Sequence, residues 1–135
     1  MDLKALDKDL QEIAKLRNTL AKVDYNNPKY DEIEEQLHEL EDAFQDNHGD
    51  DLEDVLQDIH DKICPDTDVL YPIAYFAKTY LVNAKNEFSV TTSEGVFVEV
   101  DAHEGKDTKL VIIPSPLRVA LNIGKELQQI VWSAQ

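Results

Sequence analysis

The chain has 135 residues, a net charge of −15 and 42% hydrophobic content, enough for one domain that buries about two-thirds of its unfolded surface and too apolar for global disorder. No run approaches the ~20 apolar residues of a membrane span, and the mixed-charge start MDLKALDKDLQEIAKL has neither the apolar core nor the cleavage site of a signal peptide. One cysteine, Cys64, excludes an internal disulfide, and with only four histidines it argues against a structural zinc finger. A cytoplasmic protein with no membrane partner is the expectation.

Apolar residues Leu3, Leu6, Leu10, Ile13 and Leu20 recur at helical spacing in a stretch free of Gly and Pro. The pattern breaks at 24–28, where Asn27 reads as a cap and Pro28 as the first residue of a second helix. Tyr30, Ile33, Leu37, Leu40 and Phe44 then follow in a/d order, so the two helices read as an antiparallel hairpin. Lys4, Lys8, Lys15, Arg17 and Lys22 of the first helix are placed to face acids of the second. Asn47-His48-Gly49 reads as a stop with Gly49 past the helix end. Asp50 and Glu53 then form a capping box for a third helix with Leu52, Val55, Leu56, Ile59 and Ile63 on one face, ending before Pro65.

Beyond Pro65 the texture changes. Residues 69–82 are rich in Tyr, Phe and Ala, with no clear period, and read as a helix of two or three turns from Asp68 with a short strand near 80–82. Residues 88–92 and 96–100 flank Ser93-Glu94-Gly95 as a hairpin. Residues 109–113 add a third strand, and the unbroken apolar run from Leu110 to Ile113 predicts burial on both faces. Ser115 and Pro116 look like the cap and first residue of a last helix. It carries two stripes: Leu117, Leu121, Gly124, Leu127 and Val131, and Val119, Ile123 and Ile130. The expected fold is α+β in a single domain, 1–135: a helical half (1–64) of a hairpin plus a third helix, then a three-stranded antiparallel meander covered by a C-terminal helix (65–135).

Charge is the most informative feature. Residues 31–61 hold fourteen Asp and Glu and no Lys or Arg, which leaves fourteen of the twenty-eight acids against thirteen bases elsewhere. Charge confined to one segment marks a face, one that repels nucleic acid and acidic membranes and favours basic partners. Glu35, Glu39, Asp42, Asp46, Asp50 and Asp54 trace the expected protein-binding line. Carboxylates four apart on a helix lie ~6 Å apart, near phosphate spacing, so mimicry of nucleic acid is an alternative.

Catalytic and metal signals are weak. His38, His48 and His60 fall in the acidic segment, and Glu35-x-x-His38 has di-metal spacing but no second copy. Aligning Gly49 with the glycine of a calcium-binding loop puts Phe44 and Val55 at ligand positions, which excludes an EF-hand. Asp101 and His103, two apart, would share one side of a strand as an acid–base pair. Cys64 at a helix C-terminus is disfavoured as a thiolate. Arg118 would sit in the first turn of the last helix, paired with an acid of the helical half or an anionic ligand. No phosphate loop, G-x-S-x-G or H-E-x-x-H occurs. The expectation is a non-enzymatic protein-binding or regulatory module without cofactor or metal, binding a basic protein or self-associating as a homodimer. A metal-dependent hydrolase using His103, Asp101 and the acidic histidines is the alternative from another class.

Overall fold

A computed structural model describes residues 1–134. Two helices lead: α1, Leu3–Lys22, and α2, Tyr30–Ile63. Asp2 caps α1 by accepting the Ala5 N–H at 3.1 Å. The helices run antiparallel, cross-linked where His48 Nε2 meets Asp9 Oδ2 at 2.7 Å and Arg17 Nη2 meets Glu41 Oε1 at 3.4 Å. Of the α1 cations expected to face α2, Arg17 alone has a carboxylate within 4 Å among the described residues.

The expected break at 47–49 and the third helix are both absent, because α2 runs through them as 34 residues, about 51 Å long. Gly49 is not among the left-handed glycines, and Asp50 lies mid-helix rather than at a cap. The energetics explain the continuity. A helix-interior glycine costs about 1 kcal/mol, whereas each large side chain buried on either side of it contributes about 1.5–3 kcal/mol. Phe44, Leu52, Leu56 and Ile59 are all at least 96% buried. α2 packs on α1 through Glu41 and His48, and its last turns pack on the 3-10 turn Pro72–Tyr75. That single turn, followed by the short strand β1 (Leu81–Val82), replaces the longer helix expected within 69–82.

No C-terminal helix forms, and the three-stranded meander is replaced by two sheets. One is a two-stranded pairing of β1 with β2 (Phe88–Ser89). The other is a four-stranded antiparallel sheet in the order β3 (Val96–Phe97), β4 (Thr108–Ile113), β5 (Arg118–Ile123), β6 (Leu127–Ser133). The two stripes read as helical merge on one face of β5, where Leu121 of the first lies beside Val119 and Ile123 of the second. Val119, Leu121 and Ile123 join Leu110 and Ile112 in the core against the helices. Ala120 joins Val111 and Ile113 in a second cluster with Tyr80, Phe88 and Val90. One helix would need two partners to bury both stripes; a strand brings them onto one face by its two-residue alternation. Pro114-Ser115-Pro116 is the turn between β4 and β5, with a cis Ser115–Pro116 peptide, and Gly124 at φ +60° opens the turn into β6.

Residues 88–92 and 96–100 do not pair as a hairpin. The buried Asn122 amide donates to the carbonyls of Thr91 and Glu94 at 3.3 and 2.9 Å. The Glu94 carboxylate accepts the Lys78 and Thr79 amides at 3.2 and 3.1 Å. The loop is thus held against other elements, and β2 and β3 join different sheets.

Gly49→Ala tests the unbroken helix. The three atoms nearest a Cβ there all belong to the side-chain amide of Gln45, whose Oε1 is already buried without a partner, so that side chain can swing into water at little cost. Urea titration should show a gain of about 0.5–1 kcal/mol. A loss of similar or larger size would mean a left-handed glycine and a broken helix.

Candidate functional site

The continuity of α2 determines what its acids can do. Glu35, Glu39, Asp42, Asp46, Asp50 and Asp54 are all exposed and share one uninterrupted axis. The nineteen helical rises from Glu35 to Asp54 make a ridge about 28 Å long. Of the fourteen acids at 31–61, eleven are exposed, three are partly exposed and none is buried. The opposite face of α2 supplies Leu37, Phe44, Leu52, Leu56 and Ile59 to the core. Anchoring that face holds the charged face outward. Among the described residues no Lys or Arg lies within 4 Å of a ridge carboxylate, since the one such pair on α2 uses Glu41. The ridge is therefore a line of solvated negative charge with no internal counter-charge.

The three histidines of α2 do not converge. Helical rise separates His38 from His48 by about 15 Å and His48 from His60 by about 18 Å. His38 is exposed, and the buried His48 donates from Nε2 to Asp9. His60, 1% exposed, is structural. Its Nδ1 lies 2.8 Å from the Thr67 carbonyl, an acceptor only, so Nδ1 carries the proton. Nε2 then accepts the Tyr75 hydroxyl at 2.9 Å, and the Tyr75 oxygen accepts the Leu70 N–H at 3.0 Å. This network ties the end of α2 to the segment that follows it. Burial is the main cause that raises the Tyr75 hydroxyl above its ordinary pKa, with the Leu70 hydrogen bond opposing it. Burial likewise pushes the Cys64 thiol from 9.0 up to about 11, which suits a packed thiol and not a nucleophile.

Asp101 and His103 do not share a strand side. They begin and end a 3-10 turn, Asp101–His103, beside an open cleft of about 850 Å³ between Asp66–Asp68 and the 97–108 segment. Asp66, Asp68, Glu99, Asp101, Glu104 and Asp107 line it with His103 and Lys106. Among the described residues no three His, Cys, Asp or Glu side chains gather as a metal site, and Asp101 and His103 make no side-chain hydrogen bond to each other. Arg118 is not in a helix either. Its guanidinium donates to the carbonyls of Pro116 and Phe88, both at 2.7 Å, and of Pro114 at 3.3 Å, closing the β4–β5 turn onto β2. Desolvation lowers its pKa, against the pull of Asp7 and Glu87.

Two contributors went unrecognised in the sequence. Arg17 reads there as one seam cation among five, yet it donates to the Ala77 carbonyl at 3.0 Å and lies 5.5 Å from the Phe76 ring centroid. Its apolar neighbours Ile13, Ala14 and Leu16 are the only local hint of an inward position. The Tyr75–His60 pairing joins residues fifteen apart and leaves no spacing signature. No helix is long and apolar enough to cross a membrane among the described residues. No protein-family model, curated protein or solved structure matches the chain.

Two measurements check this account. Tyr75→Phe leaves the Leu70 N–H and His60 Nε2 unpaired, and denaturant unfolding should show a loss of about 2 kcal/mol. At about pH 8 the native Cys64 thiol should react with a disulfide reagent about a hundredfold more slowly than in the denatured chain. A thiol titrating near 11 is protonated at neutral pH, so any native reaction should accelerate as pH rises toward that value.

Proposed function

We propose that the chain is a non-enzymatic binding module that docks a basic protein segment along the α2 ridge. The observation that carries this reading is the single exposed line from Glu35 through Glu39, Asp42, Asp46 and Asp50 to Asp54, on one continuous helix and free of neighbouring cations. A line of like charge attracts an oppositely charged chain over distances set by ionic strength, which speeds encounter and makes binding salt-sensitive. About 28 Å of ridge spans about eight residues of an extended Lys/Arg-rich segment. The carboxylates are held by a rigid helix, so the chain loses little entropy on binding. A single row of carboxylates on one helix has the spacing of one nucleic-acid strand and not of two, and this favours a basic protein over a nucleic-acid-binding protein as the partner.

A Lys-rich peptide of defined length serves as the probe. Two variants lose the same charge in different places. One replaces four ridge acids (Glu35→Gln, Glu39→Gln, Asp42→Asn, Asp46→Asn). The other replaces four acids at the cleft (Asp66→Asn, Asp101→Asn, Glu104→Gln, Asp107→Asn). Calorimetry should show wild-type affinity falling as salt rises, a loss of about tenfold or more for the ridge variant, and a much smaller loss for the cleft variant. Equal losses would mean that net charge alone acts, and would sink the ridge as a docking site.

A further inference from the structure

β6 is the outer strand of the four-stranded sheet and its longest, seven residues paired to β5. Among the described residues, Leu127–Trp132 present about 20 Å of outer edge with no strand paired to it. Natural edge strands block pairing with other chains by charge, proline, shortness or a bulge. The sequence Leu-Gln-Gln-Ile-Val-Trp-Ser contains no charged residue and no proline. Its one irregularity lies opposite Val119/Ala120, leaving Leu127–Ile130 in regular register. The core reaches Val131 and Trp132 at the end of this strand but leaves its first four residues exposed. Leu127 lies on the helix side with its partner Ile123, and Ile130 on the other side with its partner Ala120. Both partners are buried, yet Leu127 and Ile130 are each 51% exposed.

We propose that β6 pairs antiparallel with β6 of a second copy, joining two four-stranded sheets into one continuous sheet. Charge selects the occupant. A basic segment drawn by the net −15 finds its counter-charges on α2 and none along β6. A chain as acidic as this one is tolerated only along an edge that carries no charge. Pairing a strand with its own copy is two-fold symmetric, so uncharged residues meet uncharged residues and no like-charge pair forms within 127–133. The exposed Gln129 amide both donates and accepts, and so matches its own copy. The pairing also shields Leu127 and Ile130 from water at the seam.

This inference does not rest on docking at the ridge, and its salt dependence has the opposite sign. Two copies of charge −15 repel, so salt should tighten the dimer where it loosens a basic peptide. Sedimentation of the full chain over a concentration series, at low and high salt, reads this directly. The expected result is a reversible dimer whose dissociation constant falls several-fold as salt rises. Ile130→Lys and Gln129→Lys each place like charges at the symmetric seam and should weaken the dimer by about tenfold or more, with circular dichroism unchanged. Gln129 is exposed, so its variant decides the matter if Ile130→Lys perturbs folding. The four-acid ridge variant should dimerise at least as tightly as wild type. A monomer under every condition, a dimer that salt dissociates, or a dimer that both lysine variants leave intact would overturn the proposal.

Discussion

Burial of one face of α2 is the constraint on which the other features depend. Along 34 residues the helix changes partner, from α1 at Glu41 and His48 to the segment after Cys64 at Phe44 and His60. Neither partner alone is long enough to cover it. Because the two contacts follow each other along one axis, the helix stays whole across Gly49, where local propensity favours a stop. The same burial sets the direction of the charged face. Carboxylates that would belong to two differently oriented helices instead form one ridge.

The sheet answers a second demand, for a surface that covers the helical pair. β4 and β5 are buried on both faces and provide it, while β6 is left partly outside both layers. Polar groups hold the periphery to this frame. Asn122 reaches the 91–94 loop, Arg118 reaches three carbonyls, and the Tyr80 hydroxyl donates to the Ile112 carbonyl at 2.8 Å while accepting the Ala77 N–H. Asn122 fastens a loop that has no regular structure, while Arg118 and Tyr80 tie the strands β2 and β4 to the turns beside them.

The sequence shows some of this directly and hides the rest for identifiable reasons. Helical spacing from Leu3 to Leu20 and from Tyr30 to Phe44 marks α1 and the first half of α2, since an amphipathic face against one partner leaves a clean period. The apolar run at 110–113 marks a strand buried on both faces. Gly49 misleads because a glycine after Asn and His has the composition of a helix end, and only tertiary packing overrides it. Residues 117–131 mislead because β5 is buried on both faces. Val119, Leu121 and Ile123 alternate with Ala120, a pattern that also fits two helical stripes. The β-branched Val119, Ile123, Ile130 and Val131, with Gly124 between them, were the local sign of a hairpin. The acids of the ridge were visible as composition, but their alignment on one axis was not, because it depends on the continuity at Gly49. Asp101 and His103 lose their expected pairing because the backbone turns at the strand end.

Amide hydrogen exchange through residues 45–52 tests the central claim most directly, that α2 is one helix with one buried and one charged face. The account predicts protection through Asp46, Asn47, His48 and Gly49 as strong as in the turns on either side, because all of them open only with the packed core. Rapid exchange confined to 47–50, between two protected stretches, would contradict it. The ridge would then be two short helices whose charges share no axis.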